Sequence, residues 1–320
     1  MKLLLVSIII VNYNGKEVLK KLLDSLHLST FKNYETLVLD NASTDGSQAL
    51  IKKNYKKVKL VANKENLGYS GINSAIKYCK GKYILFLNND MEIDKNCISQ
   101  LVKTIKSNKN IAMVAPKLVN FYNKKLKSGG TWVSRAFYNG HIKSNGIISS
   151  KEIPYLGVGL IRKDFVDMFG YLFDPDYFIY GEDVDLGLRI RLVGKKVLFE
   201  PKSIMYHMHS VTSMKSLKSR STFLMERNLL MTFFKIFSLR NMVLLLPYVL
   251  AMRIFAMVND ILKLNFSKFL SRLEAISWTI LNFGKIMEKR DEVQKYRKAD
   301  DKYILKAFTE KYLFRKKFIV

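Results

Sequence analysis

Apolar residues over the first 120 positions alternate between short continuous runs and sets spaced at helical intervals. Residues 7–11 form an apolar run of strand length, and Val18, Leu19, Leu22, Leu23 and Leu26 then share one helical face over residues 16–28. Residues 36–39 and 58–61 read as further short strands. Between them lies a helix near 46–54, with Ser43, Thr44 and Asp45 as N-cap candidates. Ile72, Ala75, Ile76 and Cys79 predict another helix, residues 83–87 a strand, Ile98, Leu101, Val102 and Ile105 a helix, and residues 111–115 a strand. Strand–helix alternation at these lengths predicts an α/β fold of parallel βαβ units with helices covering the sheet.

The pattern then changes. Residues 120–150 are rich in Gly, Ser and Asn and read as a long excursion outside the core. Hydrophobic order returns at 156–161 and 196–199. From 214 onward the spacing is helical, with Leu229, Leu230, Phe233, Phe234 and Phe237 facing together. The division expected is an α/β part at 1–213 and a helical, basic extension at 214–320.

Composition sharpens this reading. The 320 residues are 48% hydrophobic and 12% aromatic, enough for a substantial core and unlike a disordered, collagenous or disulfide-stapled chain. Cys79 and Cys97 offer neither a disulfide framework nor metal-knuckle spacing, which suits a reducing, cytoplasmic setting. The net charge is +27, and residues 214–320 carry 22 basic against 9 acidic side chains. Such a field attracts polyanions: nucleic acid, nucleotide phosphates or an anionic membrane face.

Two segments bear on the membrane. Lys2 and the run 3–11 imitate a secretory signal but lead into Asn12-Tyr13-Asn14-Gly15 without a small-residue cleavage site, so a buried first strand is expected. Residues 241–258 hold a single charge, Arg253, and an uncharged stretch too short to span a bilayer. A segment in the membrane interface, or a helix packed on the main domain, fits better. A cytoplasmic protein peripheral on the inner face of the membrane is the expected location.

Candidate chemistry clusters where strands end. Asn12, Asp40 and Asp90 each follow an apolar strand closely, and in open parallel sheets ligands bind beyond the carboxyl ends of strands. Asp90 could hold Mg²⁺ or Mn²⁺ together with substrate phosphates, while Asn88 hydrogen-bonds a ribose or phosphate. In YGEDVDLGLR, Glu182, Asp183 and Asp185 lie beside Tyr177, Phe178 and Tyr180. Carboxylates near apolar rings have raised pKa values, and this cluster is a candidate general base. His207 and His209 alternate on a strand-like segment and are candidate metal ligands. The glycines at 68, 71, 129 and 130 form neither GxGxxG nor a P-loop.

These pieces in this order resemble the inverting family 2 glycosyltransferases of the GT-A fold, especially the rhamnosyltransferase-like branch. The matching segments are SIIIVNYN at 7–14, LVLDNASTD at 37–45, NKENLGYSGINSAI at 63–76, LFLNND at 85–90, YGEDVDLGLR at 180–189 and HMHSVTS at 207–213. The resemblance implies a Rossmann-like mixed sheet flanked by helices and single-displacement transfer from a nucleotide-sugar donor to a glycan or lipid-linked acceptor. It implies that Asp40 contacts the nucleobase, with Val11 and Tyr13 lining its pocket, and that Asn88-Asn89-Asp90 stands for the family's DxD metal motif. Asp183 would be the base, Glu182 would face the acceptor or backbone, and His207 would add a metal ligand. Asp185 and Arg189 are read as structural. The competing reading is a non-catalytic membrane- or nucleic-acid-binding protein that keeps the fold; the sequence carries no specific nucleic-acid-recognition signature.

Overall fold

The N-terminal apolar run becomes a central strand because it can be buried on both faces, as parallel sheets require. In the computed structural model, which describes residues 4–142, 149–208 and 220–309, this is β1 (Val6–Asn12), followed by α1 (Lys16–His27). Next come β2 (Tyr34–Asp40), α2 (Ser47–Asn54), β3 (Lys59–Ala62), a 3₁₀ turn at Gly68–Ile72 and α3 (Asn73–Ile76). They lead to β4 (Tyr83–Asn88), β5 (Met91–Ile93), α4 (Cys97–Ser107) and β6 (Ile111–Asn120). The short strands β7 (Leu126–Ser128), β8 (Thr131–Val133), β9 (Asn139–His141) and β10 (Lys151–Ile153) precede β11 (Gly159–Arg162), α5 (Lys163–Phe169), α6 (Glu182–Leu192) and β12 (Lys196–His207). The helices α7 (Ser221–Ile236), α8 (Leu239–Leu262), α9 (Phe266–Leu281), α10 (Phe283–Gln294) and α11 (Asp301–Leu305) follow.

The main sheet has the order β10-β12-β6-β11-β4-β1-β2-β3. Parallel pairing of β4, β1, β2 and β3 gives way at β11, which runs antiparallel to both β4 and β6. This is a mixed sheet flanked by helices, as the resemblance implies. Its register sets up the site. Asn12 pairs with Asp40 and Val11 with Asn88, so three strand ends lie level. On the far side of the reversal, β12 pairs with β5 so that His207 sits opposite Met91, one residue from Asp90.

Two local expectations are corrected. The Ile72–Cys79 spacing gives only the 3₁₀ turn and a four-residue helix. Gly68 there has φ +61°, and the chain at Gly68 approaches Phe178 so closely that a Cβ would lie 2.0 Å from its carbonyl oxygen. Docking of the turn outweighs helix propagation. The excursion at 120–150 is also not outside the core: Trp132, Val133, Ala136 and Phe137 are buried. The Phe137 ring meets Phe233, Phe237 and Phe308 at centroid distances of 5.4, 5.8 and 5.5 Å. Its burial comes from helices a hundred residues later, which local composition does not reveal.

The helices from α7 onward share one hydrophobic core with the sheet; Leu229, Phe233, Phe237, Ile286 and Ile304 belong to it. The expected boundary at 213/214 falls outside the described residues.

Candidate active site

The strand ends form a hydrogen-bonded chain. Asp40 is fully buried, and its carboxylate accepts from Asn12 Nδ2 at 2.8 Å, the Ser43 amide at 2.9 Å and Gln48 Nε2 at 2.7 Å. Asn12 passes the chain on, since Asn89 Nδ2 donates to its Oδ1 at 2.8 Å. A nucleobase facing Asp40 would therefore meet a carboxylate already oriented by three donors. Val11 and Asn88 are half-buried beside it, and Tyr13 is exposed at the mouth.

Asp90 and His207 come together from 117 positions apart, with His207 Nε2 3.1 Å from Asp90 Oδ1. Lys127 lies against the other ring nitrogen of His207, and burial lowers its ammonium to about 8. His209 lies outside the described residues. A carboxylate from the turn between β4 and β5 and an imidazole from the end of β12 fit a hard divalent cation that takes its other ligands from substrate phosphates. Among the described residues no cluster of three His, Cys, Asp or Glu side chains forms a protein-only site.

The acidic motif arrives on a strained turn. Tyr180 has φ +69° and Gly181 φ +82°, both left-handed, directly before α6. Asn228 of α7 holds this turn by donating to the carbonyls of Ile179 at 3.1 Å and Tyr180 at 2.6 Å. Such strain persists only where surrounding structure over-determines it. From the turn, Glu182 and Asp183 start α6, where the helix dipole favours carboxylates. Burial opposes the dipole and wins, raising both carboxyls above their ordinary range, with Asp183 pushing Glu182 further. Glu182 Oε2 is buried without a hydrogen-bond partner among the described residues, whereas Asp183 Oδ1 accepts from the Val184 amide at 2.9 Å. A Cβ at position 157 would lie 3.4 Å from Asp183 Oδ2, so Gly157 keeps the backbone against that oxygen.

Tyr69 joins the groups. Its phenol is pushed well above the ordinary value by burial and then by Glu182, Asp90 and Asp183. The backbone agrees: the Tyr69 amide donates to Phe178 O at 2.8 Å, and Asn41, next to Asp40, donates to Gly68 O at 2.8 Å. The 3₁₀ turn thus ties the Asp40 strand end to the loop before Glu182. Sequence reasoning missed Tyr69, Lys127, Gly157 and Asn228. Tyr69 lay within a quoted motif and could have been found there; Lys127 and Asn228 carried no local signal.

A sign follows from Glu182. Its native carboxyl titrates above its unfolded one, so this group's contribution to stability is fully present below about pH 4.3 and is lost as the pH rises through the native value. Glu182→Gln removes the ionisation. It is expected to melt above the parent at pH 8.5, at about 2–4 °C for each kcal/mol recovered, with the gap closing toward pH 4. Melting curves across this range check it; a pH-independent gap refutes it.

Comparisons with known proteins bear on the fold and on the family likeness. The model of Glycosyl transferase family 2 matches residues 7–156. Over those residues the chain is similar to that family. The UDP-Glc:alpha-D-GlcNAc-diphosphoundecaprenol beta-1,3-glucosyltransferase WfgD of Escherichia coli is 33% identical over 144 residues, 39% of this chain and 56% of that protein. The chain thus spans about half the length of that curated relative. Among solved structures, S. aureus TarS 1-349 superposes with a TM-score of 0.57 at 16% identity, covering 91% of this chain and 90% of that one. GalNAc-T7, solved with UDP, GalNAc and Mn²⁺, also gives 0.57, at 20% identity over 65% of this chain and 44% of that one. These two likenesses concern the fold.

Proposed function

We propose that the protein is a glycosyltransferase that moves a sugar from a nucleotide-diphosphate donor to a hydroxyl of a glycan or lipid-linked acceptor, by single displacement with inversion. One observation carries the reading: the 3₁₀ turn of Gly68 and Tyr69 is hydrogen-bonded on one side to Asn41 at the Asp40 strand end and on the other to Phe178 in the loop that leads into Glu182 and Asp183. Asp40, Val11 and Tyr13 receive the nucleobase, and Asn88 and Asn89 meet the ribose and phosphates. Asp183 takes the proton from the acceptor hydroxyl as that oxygen attacks the anomeric carbon from the face opposite the diphosphate. Glu182 keeps its proton and faces the acceptor as a hydrogen-bond donor. The transition state is oxocarbenium-like, as in glycoside hydrolysis. Asp90 and His207 would hold Mg²⁺ or Mn²⁺, which would supply positive charge toward the diphosphate. Lys127 adds charge on the same side.

In this reading residues 1–213 are the transferase unit and 214–320 a supporting extension. WfgD's name gives UDP-Glc as donor and a diphosphoundecaprenol-linked acceptor, which makes a lipid-linked acceptor at the cytoplasmic membrane face the first choice here. The resemblance to rhamnosyltransferase-like enzymes keeps 6-deoxyhexose donors alongside hexoses.

A thermal-shift screen of nucleotide sugars with Mn²⁺ or Mg²⁺ tests this, because a true donor stabilises the folded state by mass action. Asp90→Ala is expected to weaken Mn²⁺-assisted nucleotide binding by at least about tenfold, and to change little in EDTA, as read by calorimetry. Absence of any nucleotide-sugar response, with duplex DNA binding of steep salt dependence, would instead support the non-catalytic reading motivated by the basic tail.

A further inference from the structure

The polarity of α8 and α9 is inverted. On α8 the stripe turned to the protein is Met242, Val249, Arg253, Ala256 and Asp260, so both charges of its C-terminal half point inward. Arg253 Nε pairs with Glu226 of α7 at 3.2 Å, and Asp260 pairs with Arg272 of α9 at 2.8 Å. Glu226 also meets Arg272, which closes a four-residue ionic network beneath the two helices. The outer faces are apolar: Leu244 and Phe255 on α8 are 63% and 54% exposed, and Ile280 and Leu281 on α9 are 69% and 84% exposed. A helix on a water-soluble protein buries its apolar stripe and turns its charges to solvent. Here both helices do the reverse, packed side by side, with exposed apolar residues along the length of each.

Charge selects the occupant. The solvent-facing charges on the two helices and their connecting turn are Arg240, Lys263 and Lys268 against Glu274 alone, and Glu274 lies 3.7 Å from Arg220. An apolar face rimmed by basic side chains suits the acyl–headgroup boundary of an anionic bilayer. α8 has the length and hydropathy of a spanning helix. Yet its inner stripe is fixed to the body of the protein by Arg253 and Asp260, so it can offer a bilayer only one side.

We propose that the outer faces of α8 and α9 together form a monotopic docking surface for an anionic lipid bilayer, the helices lying in the interface. The inference goes beyond the transferase reading and rests on these helices alone. Flotation of the full chain with phosphatidylcholine vesicles, with and without phosphatidylglycerol, tests it. The parent is expected to float with the anionic vesicles. Leu244→Glu with Phe255→Glu is expected to lower its partitioning at least about tenfold, as is Ile280→Glu with Leu281→Glu on the other helix. Circular dichroism should be unchanged, since all four side chains are exposed. Flotation of both double variants like the parent overturns the proposal. So does a parent that fails to float, or one that forms a dimer, by light scattering, which the variants dissociate without any vesicle binding. Nucleotide binding retained in each case would leave the transferase reading standing.

Discussion

Asp183→Asn is expected to lower sugar transfer by about 10²–10⁴-fold, the usual worth of a general base, while nucleotide affinity stays nearly unchanged. Glu182, buried, and Asp183, half-buried, are adjacent carboxyls, and only one of them needs to be charged at neutral pH. Glu182 is the more raised of the two and has an oxygen with no partner among the described residues, so it keeps the proton; Asp183, with the Val184 amide to stabilise its charge, loses it. The amide variant keeps the shape and removes only the proton acceptor, so kcat should fall without a compensating change in donor KM. Initial rates with a responding nucleotide sugar, beside calorimetry for the nucleotide, provide the measurement. Unchanged turnover would remove Asp183 from the mechanism. Glu182→Gln is the matching control: it imitates the protonated carboxyl and should retain transfer, whereas an equal loss would make Glu182 the base.

Much of this site was legible because parallel strands place their carboxyl ends at one edge of a sheet. Asn12, Asp40 and Asp90 could be grouped from sequence alone for that reason, and the register that sets Asn12 beside Asp40 and Val11 beside Asn88 realises it. What stayed hidden depends on contacts between distant elements. Nothing near Lys127 announces that a short strand off β6 will bring it to His207, eighty positions away. Phe137 sits in a Gly- and Ser-rich stretch that reads as solvated, yet it packs on Phe233 of α7, Phe237 and Phe308. The Ile72–Cys79 spacing was a genuine helical period overridden by docking of the Gly68 turn on Phe178. Likewise residues 241–258 were read as an interfacial segment or a helix packed on the main domain; the helix runs from Leu239 to Leu262, and its inward charges belong to an ionic network contributed partly by α7 and α9.

The same kind of distant contact underlies the largest stability effect expected. Asn228, Thr232 and Lys235 form one stripe of α7 that faces the loop before Glu182. Thr232 Oγ1 and the Tyr177 hydroxyl lie 2.9 Å apart. Lys235 Nζ lies 2.7 Å from both Asp174 Oδ2 and Asp185 Oδ1, fully buried with them. Asp185 also binds Arg189 at 2.6 Å, and Asp174 binds Lys289 at 2.6 Å. Lys235→Met keeps much of the volume but leaves two buried carboxylates short of a cation, which is expected to cost about 3–5 kcal/mol. Lys235 and Lys289 hold the native Asp174 carboxyl well below the usual carboxylate range, despite burial. Its contribution is therefore present above about pH 3.9 and is lost as the pH falls through the native value. The gap between parent and Lys235→Met in chemical denaturation should accordingly narrow in acid. Pairing Lys235→Met with Asp185→Asn should cost less than the sum of the two single changes, because the sites share a network. Transfer activity should fall alongside stability, since a loosened α7 no longer fixes the carbonyls of Ile179 and Tyr180 that set the angle of Asp183. An unchanged denaturation midpoint in Lys235→Met would mean that α7 is held by its phenylalanines alone and that the ionic cluster plays no part in clamping the acidic loop.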